Sequence, residues 1–192
     1  MSMSAQVTAV CKSVNFILWK MSRIRKYVDF DTCNHAIRSF VLSRIDYANA
    51  LLAGCPNKDI TRLQRLQNKA ARIIFQVTRR ARPTASLLQE LHWLPINERI
   101  IFKILLYVYK ARNNLAPGYL INSLVQYLPT RTGLRSGDDP HRLVQPIPRR
   151  KIGECSFSVH APQLWNTLPI DIRSAPNTNI FKQRLKTHLF SR

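Results

Sequence analysis

The spacing of apolar residues predicts helices at the start of the chain. From Ala5 to about Tyr27, apolar side chains recur every three or four positions, which places them on one face of a helix. A second helix is expected to begin at a cap formed by Asp31 or Thr32 and to end at Gly54. The pattern therefore favours helices packed through apolar stripes over a sheet.

The same spacing continues through the middle of the chain. A third helix is expected from a cap at Asn57 to about Thr78. A short helix at Ser86–Leu91 follows, and Pro95 suits the first turn of a long helix that reaches Arg112. These elements predict a helical bundle.

The last third of the chain has a different composition. Four prolines and two glycines fall between residues 129 and 148, and the stretch Arg142–Ile147 could form a short strand. Two short helices are expected at Phe157–Thr167 and Thr178–Ser191. The predicted fold is mainly α: a helical bundle followed by a mixed, proline-rich tail with short helices and at most a short strand or hairpin.

Composition narrows the class of protein. The chain has 192 residues, and hydrophobic residues make up 45% of them, which is enough for a packed core and argues against disorder. No apolar run approaches the ~20 residues that span a bilayer, and no secretory signal peptide is evident. An intracellular protein, nuclear or cytoplasmic and not secreted, is expected.

The charge balance points to a polyanionic partner. The formal net charge is +20, and 20 of the 30 basic residues are Arg, whose planar guanidinium suits phosphate contact. An acidic protein and an acidic membrane surface stay open as alternative partners. Residues 57–112 are the most basic part, with 12 Lys and Arg against 3 Asp and Glu.

The candidate binding site lies on the third predicted helix. Four cations recur at helical spacing and form one stripe, which we call the basic stripe: Arg62, Arg65, Lys69 and Arg72. A basic elbow continues it after the helix: Arg79, Arg80 and Arg82. The alternative is a solvated surface face. Because no acidic residue lies between the first and last of these cations, intrahelical ion pairing is not expected, which favours binding.

Enzyme signatures are missing from the sequence. There is no phosphate-binding glycine motif, no nucleophile elbow and no metal-ligand spacing among the four cysteines and five histidines. Tyr27-Val28-Asp29-Phe30 resembles the start of a polymerase motif, but Phe30 replaces the second aspartate, so Asp29 and Asp31 are interpreted as turn and cap residues. We expect no catalytic residue, no metal, no cofactor and no small-molecule substrate.

Several segments, in order, resemble the C-terminal part of the reverse transcriptase of non-LTR (LINE-type) retrotransposons, of the jockey and chicken-repeat kind. The matching stretches cover nearly the whole chain: 21–27 (MSRIRKY), 40–54 (FVLSRIDYANALLAG), 62–74 (RLQRLQNKAARII), 91–95 (LHWLP), 102–110 (FKILLYVYK), 115–120 (LAPGYL), 161–169 (APQLWNTLP) and 181–190 (FKQRLKTHLF). Each motif is modest, and their common order carries the similarity.

The resemblance implies a domain organisation and a role. Residues 1–80 would correspond to the thumb-like helical region, 81–128 to a helical post-thumb region, and 129–192 to a tail that packs on the helices. The palm of the family, with its magnesium-binding aspartates, would lie upstream. The chain is then expected to be a non-catalytic fragment or remnant of an RNA-directed DNA polymerase.

Two functions follow from these observations. The first is a module that binds the backbone of RNA or DNA, such as a template–primer duplex, without sequence specificity. The second is an interface module without activity of its own, in which Trp93, Trp165 and the apolar stripe would face the missing palm domain.

Overall fold

The computed structural model describes residues 3–78, 80–128, 139–148, 153 and 155–191. These residues are mainly helical, as the apolar spacing predicts. The chain divides into two compact units, Met1–Ile100 and Ile101–Arg192. Within the described ranges, no helix combines the length and apolar composition needed to cross a bilayer.

The helices follow one another through short links. They are α1 (Met3–Ile24), α2 (Phe30–Ile37), α3 (Ser43–Asp46), α4 (Asn57–Phe75), α5 (Thr84–Glu90), α6 (Ile96–Arg112), α7 (Gly118–Ile121), α8 (Phe157–Asn166), α9 (Ile170–Arg173) and α10 (Thr178–Phe190). A π-helical stretch, Arg38–Leu42, joins α2 to α3, and 3₁₀ turns cover Arg25–Tyr27 and Asn49–Leu52.

The second predicted helix is shorter than expected. It ends at Asp46, Ala48 adopts a left-handed conformation (φ 51°), and Gly54 (φ 78°) follows a separate 3₁₀ turn. The π-helical stretch explains the error, since each π turn holds an extra residue and moves later side chains off the 3.6-residue period. An apolar period extended from Ile37 therefore no longer marks one face beyond α3.

Two predicted helix caps are also wrong. Asp29, and neither Asp31 nor Thr32, is the N-cap of α2, where its carboxylate accepts a hydrogen bond from the Thr32 amide at 3.0 Å. This bond holds the pKa of Asp29 below its ordinary value. Asn57 is the first residue inside α4, with Pro56 as the cap. Proline fixes an extended entry into a helix without a side-chain hydrogen bond, which residue-type preferences for caps do not anticipate.

The first unit is organised around α1 and α4, which run side by side in the same direction. Ser4 contacts Asp59, Thr8 contacts Arg62, and Asn15 contacts Lys69, so residues 54 or 55 positions apart face each other along both helices. Buried residues of both helices, including Val14, Leu18, Leu63 and Ala70, contribute to the core.

The segment from α2 to α3 runs back between the ends of α1 and α4. Phe30 at its start packs on Phe75 at the end of α4, with ring centroids 5.3 Å apart. At its other end, Asp46 binds the Arg99 guanidinium at the start of α6. The first unit thus contains an up–down–up arrangement of three helical segments.

The second unit packs around aromatic side chains. Phe181 of α10 stacks on Tyr109 of α6 at 4.3 Å and lies 5.9 Å from Trp165 of α8, measured between ring centroids. The Tyr109 hydroxyl donates a hydrogen bond to the Ala175 carbonyl at 2.8 Å. Burial of this hydroxyl raises the pKa of Tyr109.

The strand expected at Arg142–Ile147 is reduced to a single antiparallel bridge. Gln126 pairs with Leu143, and no strand is found among the described residues. Pro146 and Pro148 have no amide hydrogen to donate, so the pairing cannot extend along this stretch. Residues 129–138 of the proline-rich segment lie outside the described part of the chain.

Asp59 predicts a pH dependence of stability. This buried carboxylate accepts hydrogen bonds from the Ser4 hydroxyl at 2.5 Å and from Arg62 at 3.3 Å, and these bonds lower its pKa. A carboxylate with a lowered folded-state pKa stabilises the fold above its ordinary pKa of about 3.9, and the contribution is lost as the pH falls through the folded value.

We therefore expect Asp59→Asn to lower the urea midpoint at neutral pH, and the difference from the wild type to shrink as the pH falls below about 4. The matched control is Asp171→Asn, at an exposed carboxylate without a printed partner in the described part of the chain. A difference that stays constant from neutral to acid pH would contradict the role of Asp59.

Candidate nucleic-acid interface

The basic stripe lies on the solvent-facing side of α4. Arg65 and Lys69 are exposed, while Leu63, Leu66 and Ala70 are buried on the opposite side. The amphipathic pattern of α4 explains this division, because the apolar side packs on the core and leaves the polar arc in solvent. The structure therefore places this helix with its basic stripe turned outward.

The four cations of the stripe differ in their contacts. Arg65 has no hydrogen bond or ion pair with the described residues, and Lys69 makes one long contact, 3.5 Å to the Asn15 side chain. Arg62 is half-buried and binds both Asp59 and the Thr8 hydroxyl. Arg72 is half-buried, donates to the Thr84 hydroxyl, and has a buried Nε without a hydrogen-bond partner.

The expectation of no intrahelical ion pair is wrong at Arg62. Asp59 precedes it by three residues, which is one helical turn, and their atoms approach to 3.3 Å. The acid-free interval begins only after Arg62, so the carboxylate escaped the argument. The freely available cations of the stripe are consequently Arg65 and Lys69.

The basic elbow is only partly available. Arg80 is exposed in the turn before α5. Arg82 is half-buried, pairs with Glu90 at 2.8 Å, and lies 5.3 Å from the centre of the Phe75 ring. Arg79 lies outside the described residues. Arg82 thus has partners within its own unit, as Arg62 does.

A groove between the ends of α1 and α4 extends the stripe onto a second helix. The groove has a volume of about 400 Å³. Polar and charged residues from both helices line it, among them Ser22, Arg25, Lys26, Lys69, Arg72 and Gln76. No carboxylate is among its described lining residues. The arrangement is suited to an anion, because cations converge on it from two sides.

Arg25 is the residue of this groove that the sequence reasoning missed. Its guanidinium donates hydrogen bonds to the carbonyls of Ile73 (3.1 Å) and Ile74 (2.6 Å) at the end of α4, and to Val28 (2.6 Å). A cation at a helix C-terminus satisfies carbonyls that have no intrahelical partner and opposes the negative end of the helix dipole. Arg25 therefore removes a source of negative potential from the groove.

The exposed aromatic residues of α1 were missed as well. Phe16 and Trp19 are 57% and 52% exposed, and both lie outside the apolar stripe that buries Val14, Leu18 and Met21. Their position on the polar side of an otherwise amphipathic helix is the sequence signal that could have identified them.

The tryptophans proposed as interface residues lie in the cores instead. Trp93 is 2% and Trp165 is 1% exposed, each inside its own unit. The Trp165 indole donates to the His141 carbonyl at 2.7 Å. Leu63, Leu66 and Ala70 are buried as well, so the sequence-based interface is already occupied by the chain's own residues.

Within the described residues, no group of three His, Cys, Asp or Glu side chains is placed to hold a metal ion. No model of a known protein family, no curated protein and no solved structure matches this chain. The resemblance to non-LTR retrotransposon reverse transcriptases stays a prediction that depends on the motifs quoted above.

Removing the Arg25 guanidinium should destabilise the first unit. We expect Arg25→Met to lower the free energy of unfolding by about 2–3 kcal/mol, because buried carbonyls lose charged donors. Arg25→Lys should fall between the two, since an ammonium keeps the charge without the planar set of donors. Urea denaturation followed by circular dichroism measures both.

The matched control is Arg38→Met, at an exposed arginine without a hydrogen-bond partner in the described ranges. It should unfold at nearly the wild-type urea concentration. If the Met variants at positions 25 and 38 unfold alike, Arg25 does not hold the end of α4.

Proposed function

We propose that this chain is a non-catalytic module that binds the phosphate backbone of an RNA or DNA duplex without sequence specificity. The observation that carries the proposal is the acid-free groove between α1 and α4, where Lys26, Lys69 and Arg72 converge beside the exposed Arg65. Phosphate contacts fix a protein on a duplex without reading its sequence. The net charge of +20 adds long-range attraction to any polyanion.

The resemblance to the reverse transcriptase of non-LTR retrotransposons supports the same function. In a complete polymerase of that kind, the helix that carries the basic stripe would hold the template–primer duplex behind a palm domain located upstream. The present chain would then supply binding and not chemistry. Magnesium-dependent primer extension by the purified chain would contradict this part of the proposal.

The leading prediction concerns the two exposed cations of the stripe. We expect Arg65→Gln/Lys69→Gln to weaken binding to duplex RNA, duplex DNA and hybrid duplex alike. The slope of log affinity against log salt concentration should become shallower by roughly 2, since each lost phosphate contact on B-DNA removes about 0.9. Filter binding over a salt series measures both quantities.

Arg38→Gln/Arg44→Gln is the matched control, because it removes the same charge from exposed residues outside the groove. A specific site predicts the larger effect for the stripe variant, whereas diffuse attraction predicts equal effects. Equal slopes for the two variants would refute the assignment of this surface.

A second candidate function is an interface module, and one observation favours it. An apolar cavity of about 540 Å³ lies between the start of α1 and the segment around α3, and the largely exposed Tyr47 and Leu51 line it. Concentration-dependent association in sedimentation velocity, abolished by Leu51→Asp, would support that function. A monomer that binds duplex through Arg65 and Lys69 would support the first.

A further inference from the structure

Phe16 and Trp19 form a flat aromatic surface on the outside of α1, which we call the aromatic platform. Their ring centroids are 6.3 Å apart, and the ring planes differ by only 15°. Both side chains are more than half exposed, whereas the other large side chains of α1, Leu18 and Met21, are buried. The platform therefore contributes little to the core of the first unit.

Each ring of the platform lies beside a cation. The Lys20 ammonium is 4.5 Å from the centre of the Phe16 ring, and the Arg23 guanidinium is 5.2 Å from the centre of the Trp19 ring. These four residues occupy positions i, i+3, i+4 and i+7, so they share one helix face. α1 contains no acidic residue, and this face is consequently both aromatic and positively charged.

The platform borders the groove. Trp19 follows Asn15 by four residues and precedes Ser22 by three, which places it on the same side of α1 as both. Asn15 contacts Lys69, and Ser22 lines the groove. A nucleic acid held at the groove would thus have the platform beside it.

We infer that the aromatic platform stacks unpaired bases of a single strand that continues from the duplex at the groove. The inference rests on the proposed function and adds the class of substrate: a junction between a duplex and a single strand. Bases stack on exposed aromatic side chains in single-strand-binding proteins, while neighbouring cations contact the backbone. A single strand supplies base faces and phosphates together, which matches the alternation of rings and cations on α1.

The charges argue against a protein partner on this face. The centres of protein interfaces are depleted in charged residues, and Lys in particular is rare there. Burying Lys20 and Arg23 against a protein would remove water from two cations without a carboxylate from α1 to compensate. A phosphate backbone compensates both cations directly.

The test replaces both rings by leucine in the full chain. Phe16→Leu/Trp19→Leu keeps apolar side chains and removes the aromatic faces. We expect affinity for oligothymidylate to fall about tenfold or more, in line with the loss of base–aromatic stacking, and affinity for a blunt DNA duplex to stay unchanged. Phe40→Leu is the matched control, because Phe40 is 55% exposed and lies outside the platform.

Fluorescence gives a second, independent measurement. Trp19 is exposed while Trp93 and Trp165 are buried, so oligothymidylate should quench the wild-type emission and leave the emission of Trp19→Phe nearly unchanged. Equal oligothymidylate affinities for the wild type and the leucine variant, without quenching, would overturn the inference. Loss of self-association in the leucine variant, with unchanged nucleic-acid affinity, would also overturn it and identify a protein-binding surface.

The two proposals can fail separately. If the wild type binds neither duplex nor single strand, the proposed function is wrong, and the inference fails with it. If duplex binding depends on Arg65 and Lys69 but the leucine variant binds single strands normally, only the inference about the platform is wrong.

Discussion

The parallel packing of α1 against α4 is the constraint on which the first unit depends. Near the start of both helices, the buried Asp59 carboxylate accepts hydrogen bonds from Ser4 and Arg62. At the opposite end, the Arg25 guanidinium binds the carbonyls that end α4. These two polar contacts fix the register of the helices, and the apolar stripes between them exclude water. A buried polar contact tolerates little displacement, because an unsatisfied group would be costly.

This register also determines the surface. With α1 and α4 side by side and in the same direction, Lys26 and Ser22 come next to Lys69 and Arg72, and Trp19 comes next to the groove. An antiparallel pair would bring the start of α1 to this position in place of its basic end. Two contacts that stabilise the fold therefore place cations from distant parts of the sequence around one groove. The proposed binding of a duplex, and of a single strand beside it, depends on this arrangement.

The sequence predicted much of this fold and part of the candidate site. Apolar spacing located α1, α4, α6 and α10, because a 3.6-residue period is a local property. It failed at the π-helical stretch, where the period changes, and at Pro56 and Asp29, where the cap residues were misassigned. Arg25 could not be distinguished from other surface cations, since its role is a contact across 49 residues. The partners of Arg62 and Arg82 were missed because Asp59 and Glu90 lie outside the acid-free interval.

The central claim is that nucleic acid binds across α1 and α4, and protection of lysines from acetylation tests it most directly. Acetylation of the full chain, with and without a blunt DNA duplex, would be quantified by mass spectrometry at each lysine. The account predicts strong protection of Lys26 and Lys69, which line the groove, and little protection of Lys110 and Lys182 in the second unit. Equal protection of all four lysines, or protection of Lys110 and Lys182 alone, would contradict it.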